Sequence, residues 1–170
     1  MRRVRYSVAM SLDGYIAGPN GESDWIVMDP DIDFSALMGA FDTVLLGRKT
    51  FEATRQHGGG GMPGMQAIVF SRTLRPADCP EATVSDNPQE TLAALKAQSG
   101  KDIWLFGGGS LFRSLLALGL VDAVEVAVIP VLLGGGLPLL PQPAQLAKLR
   151  LVKHRIYEKT GTVSLEYAAR

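Results

Sequence analysis

Three observations predict an α/β fold with a mixed, mainly parallel sheet. First, Thr43-Val44-Leu45-Leu46, Ala67-Ile68-Val69-Phe70 and Ile103-Trp104-Leu105-Phe106 are short, continuous apolar runs, which suit strands buried on both faces. Second, segments of helical character alternate with these runs as far as about Leu118. Third, the last stretch changes period: Arg150–Glu158 and Thr162–Ala168 alternate in polarity around Lys159-Thr160-Gly161, the pattern of an antiparallel hairpin. With 170 residues, 46% of them hydrophobic, the chain is long enough to bury one sizeable core. It shows no repeat, linker or low-complexity tract, so a single domain over 1–170 is expected.

In order, Val4–Met10 reads as a strand that ends in the turn signal Asp13-Gly14. Gly18-Pro19-Asn20-Gly21 is a loop of helix and strand breakers, followed by Glu22-Ser23-Asp24-Trp25. Asp31–Phe41 carries Ile32, Leu37, Met38 and Phe41 at rough helical spacing, with acids where a helix dipole favours them. The strand at 43–46 ends at Gly47, and Arg48-Lys49-Thr50-Phe51-Glu52 opens a second helix. His57–Gly64, with five glycines and Pro63, reads as a mobile loop. Thr83-Val84-Ser85 is a short strand at best, and Asp86 or Asn87 caps a helix running through Ser99. Ser110 caps another, with Leu111, Phe112, Leu115, Leu116 and Leu118 on its inner side. Val121–Val131 is strand-like, and the glycine-rich stretch to Pro138 is a loop.

Composition excludes several function classes. Seventeen basic and seventeen acidic residues cancel, so nothing in the charge favours nucleic acid or an anionic membrane as partner. Apolar runs are broken well before the roughly 20 residues that a membrane span needs. The basic N-terminus passes straight into a strand pattern, unlike a secretory signal. One cysteine, Cys79, forbids an internal disulfide or a multi-thiolate site, and two distant histidines, His57 and His154, argue against a metal centre. The expectation is a metal-free cytoplasmic domain.

The chemistry is expected at the carboxyl ends of the strands. Four strands end there in polar or glycine-rich turns: Ser11–Gly14, Gly47–Thr50, Ser71–Thr73 and Gly107–Ser110. In the last, a strand turns through Gly107, Gly108 and Gly109 into a helix, which gathers free N–H groups and a dipole's positive end at one point. It suits a phosphate, or it is an ordinary tight turn; it is neither G-x-G-x-x-G nor a Walker loop. Arg48 with Thr50, and Arg72 with Ser71 and Thr73, each sit just past a buried strand; adjacent in the sheet, they would cradle a phosphate. Nothing in that pocket reads as an acid that would meet a free ribose hydroxyl pair.

Taken together, Val-Ala-Met-Ser-Leu-Asp-Gly, Gly-Glu-Ser-Asp-Trp, Gly-Arg-Lys-Thr-Phe-Glu, Phe-Ser-Arg-Thr, Phe-Gly-Gly-Gly-Ser-Leu and Ile-Pro-Val-Leu-Leu-Gly-Gly-Gly-Leu-Pro-Leu-Leu resemble the dihydrofolate-reductase-like superfamily. Within it the chain is most similar to the reductase domain of riboflavin biosynthesis, the RibD C-terminal type, and its stand-alone relatives. The resemblance covers nearly the whole chain in order. It implies a dihydrofolate-reductase-like three-layer fold with NADPH across the strand ends. Gly107 and Gly108 would take the pyrophosphate, through a cis Gly–Gly peptide, with Phe106, Gly109, Ser110 and Leu111 around it. Arg48 and Arg72, with Gly47, Lys49, Thr50 and Ser71, would hold the 2′-phosphate end, and Ala9 and Ile16 would pack near the nicotinamide.

At the reactive end Asp13 is the leading candidate, to orient a polar substrate or relay a proton; the competing account is a plain turn. Asp31 or Asp33 is its rival, because folate-reducing members carry their acid on the first helix, although dipole charge accounts for both. Glu22 and Trp25 are placed beside the substrate, with simple packing as the alternative for Trp25. His57 and His154 are expected to face solvent. Two departures stand out: the zinc deaminase signature of the bifunctional riboflavin enzymes is absent, and Phe106 stands where they usually carry a glutamate that meets a sugar.

The resemblance implies an NADPH-dependent reductase of a pteridine- or pyrimidine-like heterocycle, or its ribosylamino derivative. The alternatives are dihydrofolate reduction and NADPH binding without catalysis. A homodimer is expected through the C-terminal half. Val124, Val126, Val128 and Ile129, with Leu132, Leu133, Leu137, Leu139 and Leu140 beyond them, exceed what one helix layer covers.

Overall fold

A computed structural model describes residues 1–169. Six parallel strands form the body of the sheet: β1 (Val4–Ser11), β3 (Phe41–Gly47), β4 (Gln66–Phe70), β5 (Thr83–Ser85), β6 (Asp102–Gly107) and β7 (Ala123–Ile129). The hairpin β9 (Arg150–Tyr157) and β10 (Thr162–Ala168) adds itself antiparallel to β7, giving the order β5-β4-β3-β6-β1-β7-β10-β9. The predicted mixed α/β class therefore holds. A second, two-stranded sheet pairs β2 (Tyr15–Ala17) with β8 (Leu137–Pro138), the latter inside a stretch that reads as a loop.

Helices cover the two faces unequally. On one, α3 (Pro88–Ala97) and α4 (Gly109–Ala117) bury Leu92, Leu95, Phe112 and Leu115 against Val4, Tyr6, Leu45, Ile103, Leu105, Val124 and Val126. Tyr6 stacks on Phe112 at 4.0 Å, and burial pushes its phenol above the usual range. On the other face, α1 (Phe34–Gly39) and α2 (Arg48–Gln56) cover only the β3–β4 side, where Val44, Leu46, Phe51, Val69 and Trp104 pack together. The inner positions of β1, β7 and β10 on that face carry no helix, so this half of the sheet is free to form a floor.

Several boundaries differ from expectation, each for a local reason. The first helix is six residues long: Asp33 caps it by accepting from Ala36 N–H, and Phe41 already belongs to β3. Asp31 lies outside that helix, paired with Lys159 at 2.7 Å. The cap of α4 is Gly108, not Ser110, because the chain turns two residues earlier. Asn87 does cap α3, accepting from Glu90 N–H. Residues 57–65 form neither helix nor strand. Among the described residues no helix is long and apolar enough to cross a membrane, and no group of three or more His, Cys, Asp or Glu could hold a metal ion.

Candidate active site

The strand ends converge because every strand from β5 to β7 runs the same way. Ala9 of β1, Phe106 of β6 and Ile129 of β7 open onto one cavity of about 860 Å³, with Ile16, Lys49, Thr50 and Gly108 at the same end. From there it extends over the uncovered half of the sheet, where Ser7, Glu125, Ala127, Ser164, Glu166, Lys153 and Arg155 contribute to its lining. The remaining wall comes from the 21–33 segment and α1: Ile26, Val27, Met28, Asp33, Phe34, Leu37 and Met38.

A second, shallower groove of about 600 Å³ lies at the ends of β4 and β5, lined by Ser71, Arg72, Ser85, Asp86, Asn87, Glu90 and Thr91. Asp86 and Glu90 correct the expectation that no acid would stand in the arginine pocket. Between the two hollows, in the sheet order, lie β3 and β6, and their ends are in close contact. A Cβ on Gly47 would stand 3.7 Å from the Gly107 carbonyl oxygen, and Thr50 Oγ1 accepts a hydrogen bond from Gly108 N–H at 2.9 Å. Both helices that start here are nine residues long, and neither has a side-chain cap, since Gly47 and Gly108 hold the N-cap positions. Their first N–H groups and positive dipole ends therefore meet at one point, which favours an anion. The Gly107–Gly108 peptide is cis, and Gly107 has φ +120°.

The remaining residues divide as follows. Ala9, Ile16, Lys49, Thr50, Phe106 and Gly108 line the cavity; Ser71 and Arg72 line the groove. Gly47, Gly107, Gly109, Ser110 and Leu111 make the turn and helix start between them. Arg48 lines neither hollow; its guanidinium lies 3.2 Å from both oxygens of Glu52, an exposed i,i+4 pair of small energetic weight.

The acids considered for the reactive end are placed differently. Asp13 does not line the cavity. Its carboxylate accepts from Ser11 Oγ at 2.6 Å and from the N–H groups of Leu133 and Gly134 at 3.1 and 2.8 Å. The Ser11 bond, then those two, hold its pKa below the usual carboxylate range. Asp13 thus ties the end of β1 to the 131–136 loop. Glu22 and Trp25 also lie outside the cavity lining: Glu22 bonds Asn20, and Trp25 Nε1 donates to the Glu22 carbonyl at 3.0 Å. Asp33, the disfavoured rival, does line the cavity. His154, also in that lining, is exposed, as is His57, whose Nδ1 lies 2.8 Å from the Ala53 carbonyl oxygen; both are solvent-accessible as expected.

A link that sequence reasoning missed fixes the wall segment. Asp29 is 2% exposed and accepts from Thr160 N–H and Oγ1 at 3.0 and 2.8 Å and from Asp31 N–H at 2.9 Å. Burial opposes its charge, yet these bonds and the nearby Lys159 hold its pKa below the ordinary range. No local sequence signal marks Asp29, because its partners lie in the β9–β10 turn.

The model of the RibD C-terminal domain family matches residues 2–162. The chain belongs to that family. Over 98% of its length it is 37% identical to the uncharacterized protein YyaP of Bacillus subtilis, of which it covers 94%. It is 27% identical to the riboflavin biosynthesis protein RibD of Corynebacterium ammoniagenes over 82% of this chain, which spans 46% of that protein. A solved structure from Shewanella sp. PV-4, assigned to riboflavin biosynthesis, superposes with a TM-score of 0.82 at 24% identity, covering 99% of this chain and 98% of that one. The Thermotoga maritima diaminohydroxyphosphoribosylaminopyrimidine deaminase/5-amino-6-(5-phosphoribosylamino)uracil reductase gives 0.70 at 20% identity, covering 98% of this chain and 56% of that one. These two structures bear on the RibD-like reductase fold alone.

Proposed function

We propose that this chain is an NADPH-dependent reductase transferring a hydride to a pteridine- or pyrimidine-like heterocycle or its ribosylamino derivative, in the manner of a 5-amino-6-(5-phosphoribosylamino)uracil reductase. One observation carries the reading: two helix N-termini without side-chain caps meet at a glycine turn, between a cavity and an arginine-bearing groove. A dinucleotide has that layout, with a charged pyrophosphate between two ring-bearing ends. The residues present fit it. Gly108 and the first turns of α2 and α4 would hold the pyrophosphate, Arg72 and Ser71 the adenosine 2′-phosphate, and Ala9 and Ile16 would border the nicotinamide. When bound, NADPH supplies the hydride. The chain's own contribution is to border the reacting rings with apolar side chains and to hold them within reach of one another.

Asp33 favours a second reading, dihydrofolate reduction. It is an acid of the first helix cap that faces the cavity, and only its Oδ1 is engaged, by Ala36 N–H, among the described residues. The test is NADPH oxidation with phosphoribosylaminouracil and with dihydrofolate, comparing wild type with Asp33→Asn and Asp13→Asn. Turnover of phosphoribosylaminouracil is expected; turnover of dihydrofolate instead, lost in Asp33→Asn and kept in Asp13→Asn, would favour the second reading. NADPH binding with no turnover on any heterocycle would make the chain a binding protein instead.

A further inference from the structure

One cation on the open half of the sheet has no role in holding the cofactor. The register across that half sets four residues in a row: Ala9 of β1 pairs with Ala127 of β7, Ala127 with Ser164 of β10, and Ser164 with Arg155 of β9. All four line the cavity. The two alanines keep the floor low beside the nicotinamide end, and the row turns polar only at Ser164 and Arg155. Arg155 is exposed, and its guanidinium lies 4.6 Å over the Tyr157 ring, a contact that holds the side chain along its own strand.

The charges around it are otherwise matched. In the next row Glu125 gives both carboxylate oxygens to Arg5, at 2.6 and 3.0 Å. Glu166 pairs in register with Lys153, which its charge offsets, and lies 4.0 Å from Arg3. Among the described residues Arg155 forms no ion pair and the Ser164 hydroxyl no hydrogen bond. An arginine on an edge strand also blunts pairing between sheets. Edge protection asks nothing, however, of a hydroxyl beside it or of a low floor leading to it from the reacting end. The phosphates of a dinucleotide do not explain it either. The glycine turn ends β6 beside β3, and Arg72 lies past β4, whereas β9 is the opposite edge of the sheet.

We propose that Arg155 and Ser164 form a subsite for an anionic tail of the acceptor, a phosphate or a carboxylate. The acceptor ring lies over Ala127, the tail crosses β10, where Ser164 Oγ donates to the anion, and the anion ends on the Arg155 guanidinium. Neighbouring strands stand about 4.8 Å apart, so Ala127 and Arg155 are roughly 10 Å from one another, a span that a ribosyl phosphate or an aryl carboxylate tail can cover. A guanidinium meets such an oxyanion through two parallel N–H bonds, stronger than neutral ones. The subsite presupposes the reductase reading of the cavity and deepens it.

Calorimetric titration into the protein saturated with NADP⁺ compares acceptors with and without the anion: phosphoribosylaminouracil against ribosylaminouracil for a phosphate, dihydrofolate against dihydrobiopterin for a carboxylate. In one pair the charged member is expected to bind at least about tenfold more tightly, and that pair identifies the anion. The advantage is expected to shrink with rising ionic strength. Arg155→Gln is expected to abolish it while leaving the uncharged member, NADP⁺ affinity and the melting temperature unchanged, because the side chain is exposed. Arg155→Lys is expected to keep part of it, as charge without the planar fork. Equal binding within both pairs overturns the subsite, as does an Arg155→Gln protein that weakens charged and uncharged members alike or weakens neither. Failure of all four to bind the NADP⁺-loaded protein overturns it too. Failure of NADP⁺ itself to bind overturns the reductase reading beneath it.

Discussion

Gly108→Ala separates a ligand-binding glycine from a structural one. Gly108 has φ −75°, a value open to any residue, and an added Cβ would meet only Thr50 Oγ1, at 3.4 Å. The fold should therefore accept alanine, with a stability change within about 1 kcal/mol, or roughly 2–4 °C in a chain of this size. Its neighbours behave differently. Gly107 sits at φ +120°, where a side chain costs about 1–3 kcal/mol, and a Cβ on Gly109 would stand 2.9 Å from the Pro138 carbonyl oxygen. Both of those substitutions should lower the melting temperature. If the pyrophosphate lies directly on the Gly108 backbone, the new methyl occupies its place, and NADPH affinity should fall by about tenfold or more, some 1.4 kcal/mol. Thermal melting and a fluorescence titration with NADPH, run on all three variants, give the comparison. A Gly108→Ala protein that melts like wild type and binds NADPH like wild type would refute the reasoning.

Arg72→Ala should weaken NADPH by about 10- to 100-fold through loss of a charge-assisted contact of roughly 1.5–3 kcal/mol, while leaving NADH nearly unchanged in the same titration; equal loss for both refutes it. Asp13→Asn should lower the melting temperature at neutral pH. Because the folded-state pKa of Asp13 lies below its ordinary value, its contribution is present above the ordinary carboxylate range and is lost as pH falls through the folded value. The gap between wild type and variant should thus close on acidification. A homodimer through the C-terminal half remains the expectation: Val124, Val126 and Ile129 are core residues, but Leu132 and Leu137 of that patch are exposed, and Leu151, Val152 and Ile156 of the edge strand β9, about half exposed or more, extend it. Light scattering should give a dimer that Ile156→Lys converts to a monomer.

The buried strands and the glycine turn were legible because each is encoded locally, by a run of apolar residues closed by glycine or a hydroxyl. The small β2–β8 sheet was not, since Leu137 and Pro138 gain strand character only by pairing with a segment about 120 residues away. The same holds for the acids. Asp13 reads as a turn carboxylate and Asp33 as a first-helix acid, but of the bonds that occupy Asp13 only the one from Ser11 is local; those from Leu133 and Gly134 come from a distant segment. Nothing local shows that the 131–136 loop folds back to meet it. Arg48 is paired with Glu52, one turn further along the helix, an exposed contact that helical spacing alone allows. The cavity floor on β7, β9 and β10 depends on antiparallel register and on a face that no helix covers, both of which are tertiary facts.

The proposed dinucleotide lies across the strand ends with its pyrophosphate on the Gly107–Ser110 turn. A crystal structure of the protein soaked with NADPH tests it most directly. The expected result is the pyrophosphate within hydrogen-bond distance of the first N–H groups of α4, the adenosine phosphate beside Arg72, and the nicotinamide against Ala9 and Ile16. A dinucleotide bound elsewhere, or in the cavity with its pyrophosphate away from Gly108, would contradict it.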